Sequence, residues 1–105
     1  MIYERRNDGR ATFGQRERVF ANKYIDGIPH VVELIDASAS GLLIRRILEP
    51  ESDRETYPLE LCIGSLTLWA WTRRVWRSGR REALRIVCAD PIGRARLRKL
   101  LRAAA

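Results

Sequence analysis

Residues 66–77 read LTLWAWTRRVWR, and the alternation in this stretch decides the fold class. One set of alternate positions carries mostly small or apolar residues: Leu66, Leu68, Ala70 and Thr72. The other set carries large aromatic, basic or branched residues: Trp69, Trp71, Arg73 and Val75. A period of two predicts a β-strand with one face in a core and the other toward solvent.

Similar segments on both sides of this stretch predict further strands. They cover residues 13–25, 30–35, 41–47, 59–64 and 82–89. Asp26-Gly27 and Ser78-Gly79 are turn signals, and residues 49–58 (EPESDRETYP) predict an exposed acidic loop. Asp90 followed by Pro91 predicts a helix start, with aspartate as the N-cap and proline at the first helical position.

These elements predict an all-β fold, a small six-stranded antiparallel β-barrel with a C-terminal α-helix. Barrel closure is favoured because it removes exposed sheet edges. The 105 residues form a single domain. We expect a flexible arginine-rich arm at residues 1–10, the barrel at 11–89 and the helix at 90–103.

The charge balance is strongly basic, with 20 Lys+Arg against 13 Asp+Glu and a formal charge of +7. Only Lys23 and Lys99 are lysines, so nearly all of the positive charge is carried by arginine. The planar guanidinium group of arginine can donate two parallel hydrogen bonds to a phosphate or to a guanine edge. An anionic partner such as a nucleotide, a nucleic acid or an anionic surface would explain the balance. Ordinary solvated faces in a protein that prefers arginine to lysine would explain it equally well.

Cys62 and Cys88 show no metal-binding spacing and lie in apolar stretches, so we expect buried free thiols and hence a reducing, cytoplasmic location. The N-terminal residues lack the apolar region of a signal peptide. No apolar run approaches the ~20 residues that a membrane span requires.

The residues do not favour catalysis. His30 has no matched serine or cysteine nucleophile motif, and no metal-ligand spacing or phosphate-binding loop is present. The acids of residues 49–55 are expected on a solvated loop face. The sequence therefore predicts that the protein is not an enzyme and carries no cofactor or metal.

Two short motifs stand out. Residues 6–10 (RNDGR) form RxxxR after a further arginine, Arg5, and residues 36–41 (DASASG) form DxSxxG between two predicted strands. Each motif alone is weak, because DxSxxG is also an ordinary turn in which Gly41 supplies a positive φ and Asp36 caps the loop. Their order and their separation of about 25 residues within one small all-β domain are far more specific.

With both motifs in place, the chain resembles the PilZ domain family, bacterial receptors for cyclic di-GMP, over essentially its whole length. The resemblance implies a ligand set of Arg6, Arg10, Asp36, Ser38 and Gly41. It also implies that Arg5 reaches a second, intercalated ligand molecule, and that a partner protein carries the signal to motility, biofilm or exopolysaccharide control.

The chemistry of these residues suits such a ligand. Arginine forks can pair with guanine O6 and N7, stack on a guanine ring or clamp a phosphate. Asp36 can accept hydrogen bonds from guanine N1–H and the exocyclic amine, and Ser38 can add a hydroxyl contact. Trp69 or Trp71 would offer a stacking surface, although a purely structural role for both is equally expected.

Two alternatives remain open. The first is a PilZ-like adaptor that works by protein contact with little ligand binding. The second is a basic nucleic-acid-binding β-barrel, which should show aromatic and basic residues interleaved on adjacent strands. The stretch at residues 67–77 has some of that character.

Overall fold

The computed structural model describes residues 11–13, 18–50 and 52–104, and it contains seven strands and one helix in that part of the chain. The strands are β1 (Ala11–Thr12), β2 (Val19–Ile25), β3 (Ile28–Ala37), β4 (Gly41–Arg46), β5 (Thr56–Ile63), β6 (Leu66–Ser78) and β7 (Arg81–Ala89). The helix, α1, is Pro91–Ala104.

The strands form a closed antiparallel barrel, as predicted. Their order is β1-β3-β2-β5-β6-β7-β4, and pairing of β3 with β4 closes the ring of six strands from β2 to β7. The two-residue strand β1 is added beside the end of β3. The tight β2–β3 hairpin turns at Asp26 and Gly27, which both have positive φ (53° and 82°), so the predicted turn is confirmed.

The barrel interior is the hydrophobic core. On β6 the inward positions are those predicted, because Leu66, Leu68, Ala70 and Thr72 are all buried. Helix α1 packs against β6 and β1, and its Leu97 and Leu101 are fully buried in the same cluster. Arg96 and Arg102 of the helix are exposed, so one face of α1 completes the core while the exposed face carries positive charge.

The start of α1 confirms the predicted cap. The backbone N–H of Gly93 donates to Asp90 Oδ2 over 2.8 Å, which satisfies one of the amides that a helix start leaves unpaired. Pro91 is the first helical residue, where a proline needs no N–H partner.

Two sequence predictions are wrong, one about burial and one about the end of a loop. Cys62 and Cys88 are free thiols, but both are exposed, because alternation turns Cys62 outward between buried Leu61 and Ile63. The predicted loop 49–58 ends early, since β5 begins at Thr56 and includes Pro58. Pro58 lies beyond the β5 residues that pair with β2, so its missing N–H leaves no bond unmade in that ladder.

The acidic loop is also not wholly solvated. The side chains of Glu49, Lys23 and Glu82 are all fully buried, and Lys23 Nζ lies 2.7 Å from Glu49 Oε2 and 2.6 Å from Glu82 Oε1. The same ammonium lies 4.1 Å from the centroid of the Tyr57 ring. Arg77 adds a 3.1 Å ion pair to the other oxygen of Glu82. We call Lys23, Glu49, Glu82, Tyr57 and Arg77 the buried ion cluster; it ties the β4–β5 loop to the barrel.

Within residues 11–13, 18–50 and 52–104, no helix has the length and apolar character needed to cross a bilayer.

Candidate functional site

A β-bulge in β3 sets the direction of Asp36. Leu34 pairs with Ile44 and Asp36 with Leu43, so Ile35 is an extra residue without a partner on β4. Strict alternation from buried Leu34 would turn Asp36 into the core, whereas the bulge turns it to the outer face and sends Ala37 inward. Bulges commonly re-aim a side chain in this way beside functional sites. Asp36 therefore lies half-buried on the outside of the barrel.

Ser38 organises the DxSxxG segment. Ser38 is fully buried, and its Oγ accepts hydrogen bonds from the backbone N–H groups of Ser40 and Gly41, both over 3.2 Å. The N–H of Ser38 donates to the carbonyl of Gly41 over 2.9 Å, which closes the turn. Only residues 38–40 lie between strands, because Asp36 and Ala37 belong to β3 and Gly41 begins β4.

Gly41 is required for space and not for a positive φ, which corrects the expectation from sequence. The glycines with positive φ in the described chain are Gly27, Gly64 and Gly79. A Cβ at position 41 would lie 3.2 Å from the backbone carbonyl oxygen of Leu84 on β7, closer than most Cβ contacts. The N–H of Ile86 donates to the Ser40 carbonyl over 2.9 Å, so β7 and the loop are held close together.

Strand register places other side chains on the same outer face as Asp36. Asp36 lies opposite Leu43, Leu43 opposite Ala83, and Ala83 opposite Trp76. Three strand spacings separate Asp36 from Trp76, or about 14 Å along the sheet. Leu43 and Ala83 are half-buried between them, and Trp76 is 46% exposed. We call the outward-facing row Asp36, Leu43, Ala83 and Trp76, on β3, β4, β7 and β6, the Asp36 face.

Trp76 is an aromatic residue of this face that the sequence analysis did not identify. By strict alternation with Trp69 and Trp71 it would point inward. A second bulge, in which Val75 is the extra residue between Arg74 and Trp76, turns it outward instead. Strict alternation along a strand does not predict a bulge. The bulge leaves two adjacent residues, Val75 and Trp76, both exposed.

Strand β1 connects the predicted arm to this face. Ala11 pairs with Ala37 and Thr12 with Asp36, so the residues that follow the RxxxR motif lie against the DxSxxG segment. Arg5, Arg6 and Arg10 lie outside the described residues. Chain connectivity alone keeps Arg10 next to Ala11, and it keeps Arg6 within about 17 Å of Ala11. Of the predicted ligand set, the structure brings together Asp36, Ser38 and Gly41.

Comparison with known proteins supports the fold alone. The chain is similar to an uncharacterized Legionella protein of known crystal structure, with a TM-score of 0.61, 13% identity and 90% of each chain covered. No family model matches the chain, and no curated protein does.

Trp69 and Trp71 lie nearer the start of β6 than Trp76 does, so they are not in the row of the Asp36 face. Both are about half exposed, and the Trp69 ring lies 5.1 Å from that of Tyr24, measured between centroids. Tyr24, Trp69 and Trp71 line an open cavity of about 500 Å³ whose rim includes Asp26 and Arg54, an ion pair of 2.6 Å. We call Tyr24, Trp69 and Trp71 the aromatic face.

The described residues contain no group of three or more histidine, cysteine or carboxylate side chains that could hold a metal ion. His30 is half-buried on β3, where it lines a shallow cavity with Pro29, Ile47 and Glu49.

One edge of the Asp36 face is held by a buried carboxylate. Glu33 accepts two hydrogen bonds from Arg18, over 2.9 and 3.0 Å, and one from Arg45 over 3.0 Å. The hydrogen bond from Arg18 is the main reason that the pKa of Glu33 lies below its usual value, and desolvation opposes it. The same hydrogen bond raises the pKa of Arg18.

Glu33 should therefore contribute to stability in a pH-dependent way. Its folded-state pKa is lower than its unfolded value, so its contribution is complete above the unfolded value of 4.5 and lost as the pH falls through the lower folded value. We expect Glu33→Gln to lower the melting temperature at about pH 7, and the deficit to shrink toward about pH 3. Thermal unfolding followed by circular dichroism measures this, with exposed Glu55→Gln as the control. A deficit independent of pH would show that the Glu33 carboxylate is not stabilised by its charge.

Proposed function

We propose that this protein is a cyclic di-GMP receptor of the PilZ type, without enzymatic activity of its own. One observation carries the proposal: β1, which follows the RxxxR motif directly, pairs with Asp36 and Ala37 of the DxSxxG segment. The two motifs are about 25 residues apart in sequence, and this pairing brings the residues that follow the first motif against the start of the second. A ligand resting on the Asp36 face would lie within reach of Arg6 and Arg10.

The chemistry of the face supports a guanine nucleotide. Asp36 presents a carboxylate on the outer surface, where it can accept from guanine N1–H and the exocyclic amine. Beside Asp36, the apolar side chains of Leu43 and Ala83 lie between it and Trp76. Trp76 presents an exposed ring at the other end of the row, on which a base could stack. Ser38 is already used to hold the turn, so its part in the proposal is to position Asp36 and the loop backbone.

A receptor of this kind acts on a partner protein, and the aromatic face supports that half of the proposal. Exposed aromatic patches commonly mark protein interaction sites. Trp69 and Trp71 are not in the row of the Asp36 face, so an effector that contacts them leaves Asp36 available to a ligand. The expected setting is the bacterial cytoplasm, where cyclic di-GMP controls motility, biofilm formation and exopolysaccharide synthesis.

Isothermal titration with cyclic di-GMP tests the receptor assignment. We expect Arg6→Ala and Arg10→Ala each to weaken binding by roughly 10- to 150-fold, because each removes a charge-assisted contact of about 1.5–3 kcal/mol. Arg5→Ala should lower the ligand-to-protein ratio from about two to one if Arg5 contacts only an intercalated second molecule. We expect none of these changes to alter the melting temperature much without ligand, because arginines in a polar, glycine-containing segment contribute little to a hydrophobic core.

Three controls separate the alternatives. Arg96→Ala removes an equal charge from the exposed side of α1, and GTP and a single-stranded oligonucleotide test other anions. Wild-type affinity in Arg6→Ala would overturn the receptor assignment. Tight binding of the oligonucleotide without cyclic di-GMP would favour the nucleic-acid alternative, and binding of neither would favour the adaptor.

A further inference from the structure

Two arginines form an unusual pair beside the DxSxxG loop. Arg73 on β6 lies directly opposite Arg85 on β7, and Arg85 lies directly opposite Gly41 on β4. Residues in directly opposed positions have Cβ atoms about 4.5–5.5 Å apart and share a face, so the two arginine side chains begin at adjacent positions on the outer surface. Both arginines are exposed.

The pair is not neutralised within the described chain. Carboxylates engage other arginines of these strands: Arg45 pairs with Glu33, and Arg74 and Arg77 pair with Glu82. No ion pair in residues 11–13, 18–50 and 52–104 involves Arg73 or Arg85. Like charges directly opposite each other destabilise a sheet, and a bound anion would reverse that effect.

A hydroxyl group lies beside the arginine pair. Exposed Thr56 on β5 lies opposite Arg73 and places its hydroxyl in the next position of the same cross-strand row. The row therefore reads Gly41, Arg85, Arg73, Thr56 across four strands. Two guanidinium groups and a hydroxyl can donate hydrogen bonds to the non-bridging oxygens of a phosphate, and arginine commonly makes such contacts in bidentate fashion.

We infer that Arg73 and Arg85 bind a phosphate group of a nucleotide ligand that lies on the Asp36 face. The identity of the nucleotide as cyclic di-GMP rests on the proposed function. The phosphate contact rests on the arginine pair alone. Position 85 lies opposite the first residue of β4, and the adjacent Ile86 is hydrogen-bonded to Ser40. A phosphate held by the pair thus lies beside the loop that positions Asp36, so the ligand would contact both.

Two measurements test this inference. Pyrophosphate, used alone as the probe, should shift the Nε–Hε NMR resonances of Arg73 and Arg85 in the wild-type protein and leave that of Arg96 in place. In calorimetry, the double variant Arg73→Gln/Arg85→Gln should bind cyclic di-GMP at least about 10-fold more weakly than a charge-matched Arg96→Gln/Arg102→Gln control on α1. Circular dichroism of both variants verifies that they fold.

The outcomes distinguish this inference from the proposed function. Unmoved resonances of Arg73 and Arg85 with pyrophosphate overturn it, as does a double variant that binds cyclic di-GMP like its control. If wild-type protein binds no cyclic di-GMP but pyrophosphate shifts both resonances, the cyclic di-GMP assignment fails and the phosphate site stands.

Discussion

Lys23→Met should lower the free energy of unfolding by about 3–5 kcal/mol, the range for removing one partner of a buried ion pair. Lys23 is fully buried, and its ammonium lies within 2.7 Å of two carboxylates whose side chains are also fully buried. Methionine fills a similar volume, so the main effect is to leave the carboxylate of Glu49 in the interior without a cation. Glu82 keeps its ion pair with Arg77.

Urea unfolding followed by tryptophan fluorescence measures this effect, and the chain supplies its own control. Lys99, the second of its two lysines, is exposed on α1, so Lys99→Met should change stability by no more than about 0.5 kcal/mol. The variant Lys23→Met/Glu49→Gln should regain part of the loss, because a neutral amide replaces the unpaired carboxylate. Equal stability of Lys23→Met and wild type would mean that water reaches the cluster.

Cyclic di-AMP should bind at least about 100-fold more weakly than cyclic di-GMP if Asp36 contacts the base edge. Adenine has no N1–H to donate, so the Asp36 carboxylate would face an acceptor and lose its hydrogen bond. The two dinucleotides carry the same phosphates, so contacts to phosphate contribute equally to both, whereas any contact to guanine O6 is lost with adenine. The comparison therefore isolates recognition of the base.

Competition calorimetry with both dinucleotides gives the ratio, and Asp36→Asn tests its origin. Asparagine keeps the shape of aspartate but presents one oxygen and one donor nitrogen, so the variant should lose affinity for cyclic di-GMP more than for cyclic di-AMP. Asp53→Asn, in the exposed β4–β5 loop, is the matched control. Equal affinity of the wild type for both ligands would mean that the site responds to phosphate charge alone.

The fold was predictable from sequence because its signals are local. Alternation along β6, the Asp26-Gly27 turn and the Asp90-Pro91 helix start each depend on neighbouring residues, and the structure confirms all three. Burial of isolated residues was less predictable. Cys62 and Glu49 were assigned from the character of their neighbours, whereas strand direction and a distant partner, Lys23, decide where they lie.

The candidate site was predictable only in its motif. Asp36, Ser38 and Gly41 could be named from DxSxxG, but their roles depend on the bulge at Ile35 and on the approach of Leu84. Trp76 depends on a second bulge. The Arg73–Arg85 pair exists only through the register of β6 on β7, and register between strands is fixed by the whole core and not by either strand alone.

The burial of Lys23 makes its amine a built-in reporter of barrel opening. An amine-selective reagent meets Lys99 in the folded protein, whereas the nitrogen of Lys23 is shielded by Glu49, Glu82 and the Tyr57 ring. Its modification must wait for the β4–β5 loop to lift or the barrel to unfold, so its rate measures how often either occurs. The two lysines of the chain thus record surface and interior events separately, with no label added.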